Sequence, residues 1–347
     1  MQTSMRVAIL YQALEPPVIN GMRKARKPGG YSDSGADIAF NLLKAGVDVV
    51  TPEQPNSTKP LSYVYPDTTE GIQRALDAKA NVLWANTVVF RGHPIEKVMN
   101  KVAIVGQLPA QVEKFDDKFL TNQYLLEHSL PIARSVLVDG PVDTEFLSSK
   151  ELTLPVVVKP VRGRGSQGVS VAHTLEEVNE RVTEVINSVF GKPVIIEEYL
   201  NGTEITIAVL PQVGSDSKYV ALRPIVRFDH VGGIAPYNGS VPVTVNSKAI
   251  TVEEANSPVM QRAIDACVKT AELCQSKAIM RIDCRMNAQG EYRLFDVNLK
   301  PNLTGKGRPG RENQDSLCTL AAEADGMSYV DLLLRLLKSA WKQEPTQ

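Results

Sequence analysis

Two neighbouring stretches near the C-terminus decide the fold: Ala278-Ile-Met-Arg-Ile-Asp-Cys-Arg-Met286 and Glu291-Tyr-Arg-Leu-Phe-Asp-Val-Asn-Leu299. Both are predicted to be β-strands. The residues between them, Asn287-Ala-Gln-Gly290, are typical of a turn. The sequence therefore predicts a β-hairpin.

One face of this hairpin is expected to be polar. With a loop of two or four residues, Arg281 would face Asp296 and Asp283 would face Leu294, and Asn298 would share their face. A loop of odd length would turn one strand over and break this arrangement. One guanidinium, two carboxylates and one amide suit Mg²⁺ that is shared with a phosphate ligand. The alternative is a surface hairpin with scattered charges.

The composition is that of an ordinary soluble globular protein. The chain has 347 residues, a formal net charge of −1 and 43% hydrophobic residues, which is enough for two or three domains. The near-neutral charge gives no case for nucleic acid or an anionic membrane as a partner, and no apolar run approaches the ~20 residues of a membrane span. Residues 5–11 are too short for a signal peptide and are expected to form a first buried strand.

The cysteines and histidines argue against a zinc site or a nucleophilic Cys/His pair. No CxxC pair occurs, and no histidine lies at metal-ligand spacing from the cysteines, which are Cys267, Cys274, Cys284 and Cys318. Free buried thiols in a reducing cytosol are expected, and hence a cytoplasmic protein.

Residues 5–105 alternate between predicted strands and helices, which indicates a parallel sheet covered by helices. A long basic loop at 12–33 follows the first strand, at the end of a sheet where α/β proteins bind ligands. Its basic residues are Arg23, Lys24, Arg26 and Lys27. A solvated, mobile loop is the alternative. A second long segment, 224–248, has a length that is often functional.

A glycine-rich loop follows the predicted strand Pro155-Val-Val-Val-Lys159 and reads Val161-Arg-Gly163-Arg-Gly165-Ser166-Gln-Gly168. Glycines let the backbone approach a phosphate, and the lysine supplies a compact positive charge. The spacing matches neither a P-loop nor a Rossmann fingerprint. A plain glycine-rich hairpin loop is the alternative.

A second strand, Val194-Ile-Ile-Glu197-Glu198-Tyr199-Leu200, ends in carboxylates and is followed by Asn201-Gly-Thr203-Glu204. Glu197 could accept a hydrogen bond from an exocyclic amine, and Glu204 could accept one from ribose hydroxyls. Acidic residues at a strand end are otherwise usually solvated.

In this order, the lysine–glycine loop, the glutamate-rich strand end and the hairpin resemble the ATP-grasp superfamily, and within it the D-alanine–D-alanine ligase-like carboxylate–amine ligases. The resemblance covers most of residues 110–305. It implies an α/β fold: an N-terminal parallel-sheet domain (1–110), followed by two α+β subdomains (111–200 and 201–347) that clamp ATP. The resemblance also implies a homodimer, which is common in this family.

The resemblance further implies roles by position. Lys118 and Lys159 match the lysines that bind the nucleotide phosphates, and Ser166 and Gly168 match the loop that covers those phosphates. Glu197 and the backbone of Leu200 match the adenine contacts, and Glu204 matches the ribose contact. The ligands of two Mg²⁺ ions, with Mn²⁺ as an alternative, are matched by Asp283, Asp296 and Asn298. Arg281 matches the arginine at the reacting centre, where Lys159 and Ser166 also act. Asp296 stands where the family usually has glutamate.

The implied reaction joins a small-molecule carboxylate to an amine. The carboxylate attacks the γ-phosphate of ATP, the amine attacks the resulting acylphosphate, and ADP and phosphate leave. Closure of residues 163–168 and 224–248 would exclude water.

Three departures argue against D-alanyl-D-alanine as the product. The glycine-rich loop after the third strand is missing, Gly165 stands where a substrate-binding serine is usual, and residues 298–304 are altered and extended by a basic insertion. The candidate substrate contacts there are Lys300, Asn302, Thr304, Lys306, Arg308 and Arg311. The basic residues of the 12–33 loop are candidates for the donor side. Solvated loop residues are the alternative in both places.

Other functions remain open: a ligase for another nucleophile or a longer carboxylate, and a catalytically silent nucleotide-binding protein. A dehydrogenase is excluded because no glycine fingerprint follows the first strand.

Overall fold

The computed structural model of this chain describes residues 5–19, 21–24, 26–214, 218–234 and 242–344. Part of the predicted 224–248 segment, residues 235–241, lies outside the described residues, as do positions 20 and 25 of the basic loop.

The N-terminal part is built on a parallel sheet, as its alternation of strands and helices predicts. Its main strands lie in the order β4-β1-β6-β7, and β5 pairs with the far end of β1. The elements are β1 (Arg6–Tyr11), a small hairpin of β2 (Val18–Ile19) and β3 (Met22–Arg23), α1 (Ser32–Lys44), β4 (Asp48–Val49), β5 (Tyr65–Pro66), α2 (Thr69–Asp77), β6 (Val82–Asn86) and β7 (Ala103–Val105). Val7 to Leu10 of β1 are fully buried, because helices and other elements cover both faces of the sheet.

The central part contains a four-stranded antiparallel sheet in the order β10-β9-β11-β8. Two helices, α3 (Pro109–Lys114) and α4 (Lys118–Glu127), lead into it. Its own elements are β8 (Ser135–Val138), α5 (Thr144–Ser149), β9 (Val156–Pro160), β10 (Ser170–Ala172), α6 (Leu175–Asn187) and β11 (Val194–Glu198).

The C-terminal part contains a larger antiparallel sheet in the order β15-β14-β12-β16-β17, with β13 beside β12. Its elements are β12 (Glu204–Pro211), β13 (Tyr219–Ala221), β14 (Ile225–Arg227), β15 (Ser247–Ala249), α7 (Val252–Ala255), α8 (Pro258–Leu273), β16 (Met280–Met286), β17 (Tyr292–Asn298), α9 (Leu317–Ala324) and α10 (Tyr329–Lys338). The predicted hairpin is therefore present as β16 and β17, at one edge of this sheet.

Hydrophobic packing ties the first and third sheets together. One buried cluster joins Leu10 and Leu83 to Ile207 and Met280, and a second joins β1, β6, β12 and α10. A third cluster, which includes Val158 and Ile196, lies between the second sheet and α6. The second sheet thus packs on a core of its own, beside a base that the other two sheets share.

Among the described residues, no helix is both long and apolar enough to cross a membrane. All four cysteines are buried free thiols. Burial raises the pKa of Cys274 and that of Cys318 to about 12, so both thiols stay protonated at neutral pH.

Candidate active site

A cleft of about 230 Å³ lies between the second and third sheets and reaches the N-terminal basic loop. Its wall brings together residues that are far apart in the sequence and that were singled out there. These are Lys118, Lys159, Ser166, Glu197, Leu200, Glu204, Arg281, Asp283, Asp296, Asn298 and Lys300.

The polar face of the hairpin forms, but by a different route from the predicted one. Arg281 pairs with Asn298 and Asp283 with Asp296, so the predicted partners, Asp296 for Arg281 and Leu294 for Asp283, were wrong by two residues. The turn between Met286 and Tyr292 holds five residues, an odd number. A β-bulge compensates: the register shifts after Asp283, which leaves Phe295 as an extra residue on β17. The four polar side chains therefore still share one face.

Asp283 and Asp296 face each other across the ladder, and each has a cation beside it. Arg281 makes two bonds of 3.0 Å to Asp283, and Thr206 Oγ1 donates to Asp283 Oδ1 at 2.6 Å. Burial raises the pKa of Asp283 in spite of Arg281. Lys118 bonds to Asp296. Burial opposes ionisation of Asp296, but Lys118, together with Lys159 and Arg281, outweighs burial and lowers the pKa of Asp296.

Lys159 lies at the floor of the cleft. Its Nζ donates to Glu197 Oε1 at 2.6 Å and to the carbonyl oxygen of Phe295 at 3.2 Å. Both side chains of the Lys159–Glu197 pair are almost fully buried, and burial raises the pKa of Glu197 in spite of Lys159. The bulge residue thus helps to hold the lysine that the glycine-rich loop follows.

Further along the wall, Leu200 and Glu204 flank the place where the chain passes from the second sheet into the third. Glu204 is buried, and its Oε2 lies 2.9 Å from His230 Nε2. His230 belongs to the 224–248 segment, so the described part of that segment does reach the cleft. No pattern in the sequence of this segment predicted the contact between His230 and Glu204.

In the glycine-rich loop, Gly163, Gly165 and Ser166 line the cleft. Ser166 has φ +57°, an unusual value for a residue other than glycine. Gly168 does not line the cleft: it has φ +71° and packs on Phe190, where a Cβ would come within 3.0 Å of the ring. Gly168 therefore helps to set the conformation of the loop from the side that faces away from the cleft.

The described basic loop supplies two residues to the wall, Lys24 and Tyr31. Lys24 Nζ donates to Asp116 Oδ1 at 2.7 Å. Arg26 instead pairs with Glu15 and with the carbonyl of Ala13. Sequence reasoning missed Tyr31, although its position directly after Gly29 and Gly30 marks a turn.

The 300–311 segment divides. Lys300 faces the cleft, and burial, helped by nearby Lys27, lowers its pKa to about 7. The structure does not bring the other predicted substrate contacts into the cleft. Asn302 and Thr304 hydrogen-bond to each other, Lys306 pairs with Glu323, and Arg308 and Arg311 pair with Asp37. The cationic groups of Lys306, Arg308 and Arg311 are paired with carboxylates of the protein itself. These positions therefore do not support the predicted substrate role.

The donor set on the hairpin fits a hard divalent cation. The described residues contain no group of three or more His, Cys, Asp and Glu side chains placed for a metal. Asp283, Asp296 and Asn298 instead offer two carboxylates and one amide oxygen. An incomplete oxygen set of this kind suits Mg²⁺ that keeps water and phosphate oxygens as its other ligands.

Known proteins agree with this architecture. A D-alanine–D-alanine ligase from Bacillus anthracis, solved in complex with ATP, superposes with a TM-score of 0.68 at 18% identity and covers 97% of each chain. The VanG D-Ala:D-Ser ligase from Enterococcus faecalis has a TM-score of 0.66 at 15% identity, over 97% of this chain and 99% of that one. The chain therefore has the fold of these two ligases, a mixed α/β architecture as predicted.

The sequence places the chain in a family. Residues 139–338 match the family model described as D-ala D-ala ligase C-terminus, and the chain belongs to that family.

Individual relatives are distant. A D-alanine–D-alanine ligase from Chromohalobacter salexigens is 27% identical over 222 residues, which is 64% of each chain. An uncharacterized protein, y4sG, from Sinorhizobium fredii is 24% identical over 258 residues, 73% of this chain and 71% of that protein. The match thus spans about two thirds of the length of these relatives.

Proposed function

We propose that this protein is an ATP-dependent ligase that joins a carboxylate to an amine through an acylphosphate and releases ADP and phosphate. One observation carries the proposal: three cations and two facing carboxylates converge on one cleft, on the hairpin, α4 and β9. Carboxylates that face each other directly destabilise a sheet. A protein that keeps Asp283 opposite Asp296 is therefore equipped to hold a cation between them.

The nucleotide would lie between the second and third sheets. Lys118 and Lys159 would meet its phosphates, and the loop that carries Ser166 and is shaped by Gly168 would cover them. The end of β11 suits the base, through Glu197 and the backbone at Leu200. Glu204 at the start of β12 suits the ribose hydroxyls.

The metal ligands in this proposal are Asp283, Asp296 and Asn298, which would hold two Mg²⁺ ions, or Mn²⁺. When bound, the ions supply neutralisation of the phosphate charge. Arg281 and Lys118 already compensate the two carboxylates, and both cations can turn toward ligand oxygens when metal replaces them.

The chemistry follows from these groups. A carboxylate oxygen of the substrate forms a bond to the γ-phosphorus, and the bond from that phosphorus to the β,γ-bridging oxygen breaks to give ADP. The nitrogen of a neutral amine then attacks the acyl carbon and loses one proton to solvent, and phosphate leaves with the bonding electrons of the C–O bond. Arg281 would stabilise the oxyanion, and the covering loop would keep water from the acylphosphate.

The remaining features of the proposal concern organisation and surroundings. Boundaries near 110 and 200 are supported by the sheets, each of which lies within one segment. Leu125 of α4, however, packs in the cluster that the first and third sheets share. A cytoplasmic location is supported by the four free thiols. A homodimer, and the lack of nucleic-acid and membrane partners, rest on family resemblance and on the net charge of −1.

The test is phosphate release from ATP and Mg²⁺ with a panel of carboxylates and amines, with mass spectrometry to separate ADP from AMP. ADP and phosphate that appear only with a carboxylate present would support the acylphosphate route. AMP and pyrophosphate would overturn it. ATP binding without release for any pair would instead favour a silent nucleotide-binding protein.

A further inference from the structure

Three cationic side chains surround the ring of Tyr31 at one end of the cleft. The Nζ atom of Lys300 lies 4.2 Å from the ring centroid, and that of Lys27 lies 4.6 Å from it. Nη1 of Arg164 is 3.4 Å from the phenol oxygen. We call Lys27, Tyr31, Arg164 and Lys300 the Tyr31 cluster.

The Tyr31 cluster differs from Lys24, Lys118 and Lys159 because it has no carboxylate partner among the described residues. Arg285 also lines the cleft without a carboxylate, but its guanidinium donates to the carbonyl oxygens of Gly202 and Gly233. Lys24, Lys118 and Lys159 each bond to a carboxylate. In the described parts of the chain, no carboxylate oxygen lies within 4.0 Å of a cationic nitrogen of the Tyr31 cluster. Asp33 acts on Lys27 from farther away, but it is paired with Arg308 and Arg311. The cluster therefore carries an excess of positive charge.

Arg164 also has hydrogen-bond donors to spare. Its Nε and Nη2 are buried, and neither has a hydrogen-bond partner among the described residues. Buried charged donors without an acceptor are costly. A ligand with anionic oxygens at this place would remove that cost.

Lys300 is held in place before any ligand arrives. Asn86 Nδ2 donates to the Tyr31 carbonyl and to Ser34 Oγ, both at 3.0 Å, and this turns Asn86 Oδ1 toward Lys300. Lys300 Nζ donates to that oxygen at 2.9 Å. Its amine thus has a fixed position on the cleft wall and keeps donor capacity for another acceptor.

The Tyr31 position itself depends on glycine. The amide of Gln12 donates to the Gly30 carbonyl at 2.7 Å, and a Cβ on Gly30 would collide with the Gln12 carbonyl. Gly30 has φ +57°. The loop therefore packs closely against the residue that follows β1. This contact places Tyr31, and with it the cluster, at the C-terminal end of the N-terminal sheet.

Most of the cluster lies on elements other than those proposed for the nucleotide, although Arg164 belongs to the glycine-rich loop that is proposed to cover the phosphates. Tyr31 and Asn86 belong to the N-terminal sheet and its loop, whereas Lys118, Lys159 and Glu204 belong to α4, the second sheet and the third sheet. Lys300 lies two residues beyond Asn298, in a bend after the end of β17, and its backbone N–H donates to Asn298 Oδ1 at 3.0 Å. The hairpin face and this cluster thus offer two places for anionic oxygens along one cleft.

We propose that the Tyr31 cluster binds a second carboxylate of the substrate, so that the protein acts on a dicarboxylic acid or an acidic amino acid. This inference rests on the proposed ligase function and adds the substrate class to it. One carboxylate reacts at the hairpin, and the other, a few carbon atoms away, lies among Lys27, Arg164 and Lys300.

The experiment compares matched pairs of carboxylates, such as glutamate with glutamine and aspartate with asparagine, in the ADP-release assay. Wild type is expected to show at least a tenfold higher kcat/KM for the acidic member. Lys300→Met should raise the KM for the acidic member about tenfold or more and leave the KM for ATP unchanged. Lys269→Met, on the exposed face of α8, is the matched control and should behave as wild type.

Calorimetric binding in the presence of a non-hydrolysable ATP analogue separates the two proposals. Suppose that the acidic member binds tightly, that Lys300→Met weakens this binding, and that no ADP is released. This outcome would refute the ligase function and support the anionic site. Equal binding or turnover of acidic and neutral members, or no binding of either, would overturn the anionic site. A Lys300→Met effect on the KM for ATP alone would assign the cluster to the nucleotide and overturn it as well.

Discussion

Two sets of ion pairs differ in what lies beside them. The cleft pairs are Lys118–Asp296, Lys159–Glu197 and Arg281–Asp283. The anchor pairs join Arg308 and Arg311 of the 300–311 segment to Asp33 and Asp37 of α1. Every cleft pair borders open space that a ligand can enter. Arg308 has almost no exposed surface, and Nη1 also donates to the Ser57 carbonyl at 2.7 Å.

The comparison teaches that charge alone does not mark a binding residue. Lys300 and Arg308 belong to the same basic stretch, yet one faces the cleft and the other fastens the stretch to α1. A cation with its carboxylates supplied by the fold has its charge neutralised there. The cleft pairs are expected to govern activity, and the anchor pairs stability.

The largest effect is expected in the cleft. Asp296→Asn removes a negative charge that the proposed metal needs when phosphate charge develops, so turnover should fall by about 10³-fold, with weaker but detectable ATP binding. Steady-state ADP release and calorimetry with ATP would measure the two quantities. Asp265→Asn, on the exposed face of α8, is the control. Wild-type turnover in Asp296→Asn would refute the assignment of this carboxylate.

The next effect concerns the anchor. Arg308→Met leaves Asp37 buried with Arg311 as its remaining cation, and removal of one partner from a buried pair costs about 3–5 kcal/mol of unfolding free energy. Urea unfolding followed by circular dichroism would measure this loss. If Arg308→Met instead keeps wild-type stability and raises the KM of a substrate, the distinction between anchor and cleft fails.

A smaller, pH-dependent effect is expected at Asp116, which lies between Lys24, Lys118 and Arg162 at the edge of the cleft. Burial opposes its ionisation, but Lys24, together with Arg162 and Lys118, outweighs burial and lowers the pKa of Asp116. Because the folded-state pKa lies below the unfolded value, ionised Asp116 stabilises the fold above pH ~4, and the contribution is lost as the pH falls through the folded-state pKa. The unfolding free energy of wild type should therefore exceed that of Asp116→Asn by about 1–2 kcal/mol at pH 7.

The measurement is the difference in unfolding free energy between wild type and Asp116→Asn at several pH values from 7 to 3. The difference should shrink toward the acid end. A difference that stays constant over this range would show that the charge of Asp116 contributes nothing.

The smallest effect is expected at Lys306, whose ion pair with Glu323 lies at the surface. Exposed pairs contribute about 0–1 kcal/mol, so Lys306→Met should change the unfolding free energy by less than about 0.5 kcal/mol. Urea unfolding beside Arg308→Met makes the contrast between a surface pair and an anchor pair direct. A loss as large as that of Arg308→Met would mean that the whole 300–311 segment is fastened as one unit.

The hairpin shows how far the sequence leads toward the site. Alternation along the two stretches predicted the strands and the four polar residues that share a face. The sequence carried no sign of the bulge at Phe295, and without that bulge the five-residue turn would have turned Asp296 and Asn298 away from Arg281 and Asp283. A register shift of this kind depends on packing against neighbouring strands, which a local pattern does not record.

Local patterns also determined the parallel N-terminal sheet, since the buried run of β1 and the alternation of strands with helices follow from hydrophobic periodicity. They determined which segments carry lysine, glycine and carboxylates in the order of an ATP-grasp ligase. Only the tertiary structure decided which charges meet. Asp37 and Arg308 are 271 residues apart, and Tyr31 and Lys300 are 269 apart. Contacts over such distances depend on how the sheets pack together, and they determine whether a basic residue faces its own carboxylate or the cleft.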